Sequence, residues 1–162
     1  MIMYKNFLNK EEFKEFETKI MGDSMPWYYN DAVISEDDDY FQLVYAFVLP
    51  GGKINCENFM MDYFKPFIKK LNITKLFKLK ANLLTKTNKI MEHGMHIDDE
   101  THRKGKTAIF YLNTCNGYTK FKDGTKIKSE KNKLVEFDCN MEHTGSSCTD
   151  TKRRVVINFN YV

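Results

Sequence analysis

The sequence has no CxxC pair and no long apolar run, and these two absences narrow the possibilities before any motif is read. Its four cysteines, Cys56, Cys115, Cys139 and Cys148, show neither the spacing of a zinc site nor that of a secreted disulfide framework. They read as free thiols in a reducing compartment. No stretch approaches the ~20 apolar residues of a membrane span, and no N-terminal run resembles a cleavable signal. The expectation is a soluble, cytoplasmic protein without a membrane partner. Charge of one sign is scarce too, since 25 basic residues against 22 acidic ones leave a formal +3. The basic part gathers in Lys65–Lys89, where eight lysines interleave with Leu, Ile and Phe. That stretch reads as a solvated face, and without an aromatic-basic module motif beside it nucleic acid is not an expected partner. Repeats, low-complexity tracts and linkers are absent as well, so one domain over residues 1–162 is the economical division. The composition that remains, 42% hydrophobic with 13 Phe and 9 Tyr, suffices for a core that needs no metal or disulfide to fold.

Periodicity divides the chain into two textures. From Asn9 to Met21, Phe13, Phe16 and Ile20 share one helical face, with Asn9 and Glu12 as a capping box and Gly22 as the stop. A second helical pattern covers Glu57 to Leu71, where Pro66 must kink the helix or begin a new turn. Between them, Phe41–Leu49 suits a buried strand ended by Pro50-Gly51-Gly52, and Glu36–Asp39 reads as an acidic surface loop. After residue 77 short β-prone runs follow one another: Phe77–Leu84, Thr107–Thr114, Tyr118–Phe121, Thr125–Ile127, Lys133–Asp138 and Arg154–Tyr161. Asp123-Gly124 marks a hairpin through the positive φ that such turns require. The architecture expected is mainly β with helices, a sandwich or barrel whose one face the helices of residues 1–77 cover, with residues 78–162 as the β core.

Chemistry concentrates in a few residues. In His96-Ile97-Asp98 an imidazole and a carboxylate stand at i and i+2, so on a strand or strand end both point to one side. His143, beyond the strand-like Lys133–Asp138, supplies a third ligand; two histidines and one carboxylate form the facial triad of non-haem iron(II) oxygenases, with open positions left over. In the last strand, period two sets Arg154, Val156, Asn158 and Asn160 on one face and Val155, Ile157, Phe159 and Tyr161 on the other. The polar face is either an exposed edge or the lining of a pocket with Arg154 at its inner end; Arg153 points away. His93 and His102 flank the motif and read as loop or supporting residues. Pro26-Trp27-Tyr28-Tyr29 reads as core, with a substrate mouth as the other possibility.

From about Lys78 to Val162 these residues, with Ala108-Ile109-Phe110-Tyr111-Leu112-Asn113 and the Asn116-Gly117-Tyr118-Thr119 turn, resemble a 2-oxoglutarate/iron(II) oxygenase of the prolyl 4-hydroxylase type. The resemblance implies a double-stranded β-helix, or jelly roll, flanked by N-terminal helices. It implies iron(II) on His96, Asp98 and His143, and 2-oxoglutarate held by Arg154, Tyr111 and Asn158. Dioxygen would be the cosubstrate and ascorbate a reductant, and the retained Asp98 favours hydroxylation over halogenation. The substrate is left open between a peptide, peptidyl proline first, and a small molecule. Two departures stand out: Leu83-Leu84 occupies the strand where family members often carry Tyr, and Arg154 stands where collagen-type members use Lys. Asn160 falls where a nucleic-acid demethylase would carry a second arginine. The competing readings are a cupin-like binding module, which has no reason to place Arg154 in the same pocket, and a structural zinc domain, which wants four protein ligands.

Overall fold

The computed structural model describes residues 1–34, 40–98 and 104–162; Glu36–Asp39 and His102, singled out above, lie outside the described residues. In chain order the elements are β1 (Ile2–Tyr4), α1 (Lys10–Met21), β2 (Tyr28–Asn30), β3 (Gln42–Leu49), β4 (Lys53–Ile54), α2 (Asn58–Asp62), α3 (Lys65–Lys70), β5 (Leu76–Thr85), β6 (Lys106–Tyr111), β7 (Tyr118–Phe121), β8 (Lys126–Lys128), β9 (Lys133–Asp138), β10 (His143–Gly145) and β11 (Arg153–Tyr161). Strands in the order β1-β9-β6-β11-β5-β3-β2, with β4 on β3, make an eight-stranded sheet, and β10-β7-β8 make a smaller one. Every named strand pair is antiparallel. Isolated bridges from Glu92 to Ser146 and from His96 to His143 lay the irregular segment 92–96 beside β10 as a further edge of the small sheet. The two sheets face one another as a jelly roll.

Alternation along the central strands builds two cores, one on each face of the large sheet. Ala108, Phe110 and Leu112 from β6 and just beyond it, Leu79, Ala81 and Leu83 from β5, and Val155, Ile157, Phe159 and Tyr161 from β11 pack outward against Phe13, Phe16, Ile20, Phe64 and Phe67 of the helical layer. Within that core the Phe67 ring lies 4.9 Å from Phe110 and 5.0 Å from Phe159. The opposite residues, Ile109, Tyr111 and Val156, meet Phe121, Ile127, Val135 and Phe137 between the sheets. The larger apolar core therefore lies outside the cleft between the sheets, leaving that cleft free to carry polar groups.

Local expectations are mostly met, with instructive differences. The Asn9–Glu12 capping box is formed, each side chain accepting the other residue's N–H at 2.9 Å. Gly22 does end α1, but its φ of −77° is extended. Its need for glycine is one of contact, since a Cβ would stand 2.6 Å from the Thr18 carbonyl oxygen. Pro66 begins a new turn, so the second helical pattern divides into α2 and α3. In the β7–β8 turn Gly124 alone takes positive φ (88°), while Asp123 contributes its carboxylate, which accepts the Thr125 N–H at 2.8 Å. β6 stops at Tyr111 rather than Thr114. The first half is less purely helical than its pattern suggests, because β1 to β4 all join the large sheet. Tyr28 and Tyr29 are exposed on edge strand β2 rather than buried in the core, while Trp27 packs against the core. Among the described residues no helix is long and apolar enough to cross a membrane.

Candidate metal centre

His96, Asp98 and His143 come together at the cleft between the sheets, with one potential ligand atom from each lying within 4.8 Å of the others. The i, i+2 geometry does not come from a regular strand. It comes from a single backbone bridge in which the His96 N–H donates to the His143 carbonyl at 3.0 Å and the His143 N–H returns the bond at 2.9 Å. Residues 47 positions apart are thereby clasped, and both rings are set on one side.

The ring orientations follow from second contacts. His96 Nδ1 lies 3.2 Å from the Gly94 carbonyl oxygen and His143 Nδ1 lies 3.0 Å from that of Met141. A carbonyl oxygen only accepts, so each Nδ1 carries the proton and each Nε2 is left with a lone pair. Those Nε2 atoms stand 3.7 and 3.6 Å from the two Asp98 oxygens, beyond hydrogen-bond length. Asp98 Oδ2 is buried without a hydrogen-bond partner among the described residues. An orphaned carboxylate oxygen facing two imidazole lone pairs is costly unless a cation fills the gap. Ligand bonds of ~2.0–2.2 Å would span it. The donor set of two imidazoles and one carboxylate fits a divalent transition metal with open positions.

Electrostatics prepares the same residues. Burial pushes the Asp98 carboxyl up, but His143, Lys78 and His96 together with the Thr107 hydroxyl outweigh it and hold Asp98 below the usual carboxylate range. Burial, with His143 beside it, pushes His96 below the usual imidazole range despite Asp98. Both shifts favour the deprotonated forms that metal binding requires.

A cavity of about 330 Å³ extends from the triad along the inner face of the large sheet. Arg154, Val156 and Asn158 line it from β11, as the period-two reading expects, and Arg153 points outward to the Met21 carbonyl. Arg154 is buried, its Nε donating to Ser129 Oγ at 2.7 Å, Nη2 to Thr119 Oγ1 at 3.2 Å and Nη1 to the Ser146 carbonyl at 3.3 Å. These neutral acceptors fix the guanidinium without cancelling its charge. Tyr111 does not line the cavity. It lies fully buried with its ring 5.7 Å from Arg154 Cζ and its hydroxyl donating to Thr119 Oγ1 at 2.9 Å, and burial pushes its pKa up to about 12 against the pull of Arg154. Asn158 does line it, and its Oδ1 is buried without a hydrogen bond among the described residues.

Gly117 is required by the same arginine. A Cβ there would stand 2.7 Å from both Arg154 Cδ and the Ser147 carbonyl oxygen. Gly117→Ala is expected to displace Arg154 and to cost about 1–3 kcal/mol as overpacking does; urea denaturation read together with crystallography of the variant checks both.

The segment that presents His96 and Asp98 is tied to the small sheet through Glu92, whose carboxylate accepts from Tyr118 Oη at 2.5 Å, Lys120 Nζ at 2.6 Å and Lys126 Nζ at 3.1 Å. These bonds lower its pKa from 4.5 to about 2. A depressed carboxylate stabilises the fold above its unfolded-state pKa and loses that contribution as pH falls through the folded one. Glu92→Gln should therefore cost about 1 kcal/mol at neutral pH, the shift being discounted for screening at a site one-third exposed. The difference from the parent protein should shrink as pH drops from about 4.5 towards 2 in denaturation experiments.

Several site residues escape the sequence reading. Thr119, Ser129 and Ser146 hold Arg154 but carry no motif. Lys78 and Lys80, read as part of a solvated face, instead enter the cavity with Asn82 and Leu84, while Lys65, Lys69, Lys75, Lys86 and Lys89 are exposed as expected. Burial, helped by Lys78, lowers the Lys80 pKa to about 8, with Asp98 opposing. The period-two pattern of Phe77–Leu84 contained that signal. Of Leu83-Leu84, where the resemblance led to a Tyr, Leu84 lines the cavity and Leu83 belongs to the outer core, so this wall is apolar. His93 also lines the cavity and packs on the Tyr40 ring at 5.6 Å, apart from the triad. Cys115, Cys148 and Asp150 form a second close group, but Asp150 is committed to the Asn116 N–H and Arg154 neighbours Cys115, so a cation there would face the guanidinium. All four cysteines are free thiols.

No protein-family model matches this chain, and no curated protein matches it. Solved structures do. A 2OG-Fe(II) oxygenase family oxidoreductase from Burkholderia pseudomallei is similar over 99% of this chain and 84% of its own, with a TM-score of 0.69 and 11% identity. A prolyl hydroxylase from Trichoplax adhaerens, solved with a hypoxia inducible factor oxygen degradation domain peptide fragment, has a TM-score of 0.69 at 15% identity over 99% of this chain and 82% of its own. The non-heme alpha ketoglutarate dependent epimerase SnoN from nogalamycin biosynthesis has a TM-score of 0.68 at 14% identity over 99% of this chain and 75% of its own. At such identities the likeness is one of fold, and the fold of this chain is the double-stranded β-helix of the 2-oxoglutarate/iron(II) oxygenases.

Proposed function

We propose that the protein is an iron(II)- and 2-oxoglutarate-dependent dioxygenase acting as a hydroxylase. The observation that carries this reading is the alignment, in one cavity, of two imidazole lone pairs and an orphaned Asp98 oxygen at one end with the buried Arg154 at the other. A cupin-like module or a structural zinc site has no use for that arginine. When bound, iron(II) and 2-oxoglutarate supply the oxidising chemistry with dioxygen, with ascorbate as a reductant. His96, His143 and Asp98 hold the metal, and the Gly94 and Met141 carbonyls keep the ring protons on Nδ1. Arg154 holds the far carboxylate of the cosubstrate, Asn158 donates an amide N–H to the cosubstrate from the same cavity wall, and Tyr111 acts beneath, through Thr119. Ile109, Leu84 and Val156 exclude water from the cavity wall, which strengthens each charged contact.

The substrate is a peptide or a small molecule, with peptidyl proline the first to try, because the Trichoplax neighbour was solved with a peptide. The test of the cofactor assignment is anaerobic titration of the iron(II)-loaded protein with 2-oxoglutarate, watching for the weak visible charge-transfer band of the chelate. A band that Asp98→Ala abolishes supports the reading; bound iron without a band replaces it with the cupin-like module.

A further inference from the structure

Four residues along a strand span ~13 Å, and Arg154 and Lys80 stand four register positions apart on the paired strands β11 and β5. On β5, Leu84 pairs with Arg154, Lys80 with Asn158 and Lys78 with Asn160. Lys78 and Lys80 therefore stand away from the Arg154 end of the cavity and towards the triad, beside the metal centre and not around the far carboxylate that Arg154 grips. Both are half-buried, and among the described residues neither ammonium has a hydrogen bond or salt bridge. Two ammoniums at i and i+2 on one strand face start only ~7 Å apart at the backbone. Their mutual repulsion and partial desolvation are relieved by an anion placed between them.

Charge balance points the same way. Among the described lining residues, Lys78, Lys80 and Arg154 oppose a single carboxylate, Asp98. Iron(II) and dianionic 2-oxoglutarate cancel one another, so the loaded cavity keeps the same excess of two positive charges beside the triad. Asparagine and glutamine add no charge there: Asn82 Oδ1 and Asn158 Oδ1 are buried without hydrogen bonds among the described residues, and Gln42 is spent on the Ala32 and Val33 carbonyls at 3.2 and 2.9 Å.

We propose that the substrate carries a carboxylate or phosphate group, bound between Lys78 and Lys80 beside the metal centre. The proposal rests on the oxygenase reading for its place in the reaction but not for the anion site itself. Calorimetric titration with acetate, methylphosphonate and neutral acetamide, on metal-free protein and on the anaerobic iron(II)/2-oxoglutarate complex, tests it. Acetate or methylphosphonate should bind both forms while acetamide does not, and the stronger of the two identifies the group. Lys78→Met and Lys80→Met keep the apolar stems; each should weaken anion binding about tenfold and leave 2-oxoglutarate affinity within about twofold. Anion binding that the variants leave unchanged overturns the proposal, as does binding that cosubstrate abolishes, which would assign the lysines to 2-oxoglutarate. Lysine-dependent anion binding without any 2-oxoglutarate band would sink the oxygenase reading alone. Should a variant fold poorly, protection of Lys78 and Lys80 of the parent protein from an amine-reactive label by the same anions, read by peptide mass spectrometry, decides the matter.

Discussion

Replacing His143 with alanine is expected to abolish stoichiometric iron(II) binding, and with it turnover, while the protein stays folded. One of three ligands is lost, and the two that remain, His96 and Asp98, stand on one short segment of the chain. The fold does not depend on the imidazole. The His143 peptide group keeps both of its bonds to His96, and β10 keeps its pairing with β7. What the ring contributes is packing against Phe137 at 4.9 Å and a bond to the Met141 carbonyl. Its loss should cost about 1–3 kcal/mol, a drop in Tm of several degrees. Equilibrium dialysis against iron(II) beside a circular-dichroism melt makes the comparison. Unfolding of the metal-free parent protein, or retention of one iron by the variant, would refute the assignment.

Arg154→Ala should leave iron binding intact and weaken 2-oxoglutarate binding by two to three orders of magnitude. The guanidinium is buried, held by three neutral acceptors, and faces the cavity with its charge unspent. Truncating one member of a buried, hydrogen-bonded charge pair costs roughly 3–4 kcal/mol, which converts to that range of affinity. Arg154→Lys should recover only part of it, because an ammonium cannot reproduce the planar fork. The anaerobic band titration measures all three proteins. A variant that binds the cosubstrate as tightly as its parent would remove Arg154 from the site. Separate loss of the metal in one case and of the cosubstrate in the other distinguishes the two ends of the cavity.

How much of this was legible in the sequence depends on the range of the interactions. The capping box of α1, the strand alternation of β5 and β11 and the Gly124 turn are local. Each follows from side chains within a few residues of one another, whose periodicity and backbone preferences survive any tertiary context. The apolar face of β11 sets the opposite face, Arg154 and Asn158 included, towards the cleft. His96, Asp98 and His143 stood out because few arrangements of imidazole and carboxylate suit a metal, and a resemblance to a known oxygenase type supplied their order. The short edge strands β1, β2 and β4 did not stand out. They hold only a few residues each, and it is the neighbouring sheet that makes them strands.

Tertiary structure alone decided the rest. That His96 and His143 clasp each other by backbone bonds, that Thr119, Ser129 and Ser146 converge on one guanidinium, and that Tyr111 lies beneath the cavity instead of lining it are facts of long-range register. The lysines show the division most plainly. Their alternation with Phe77, Leu79 and Ala81 placed Lys78 and Lys80 on one face of a strand, and a lysine face ordinarily meets water. Only the folding of the small sheet over β5 and β11 turned that face into the wall of a cavity, because burial of a strand face depends on what covers it, and the covering residues lie elsewhere in the chain.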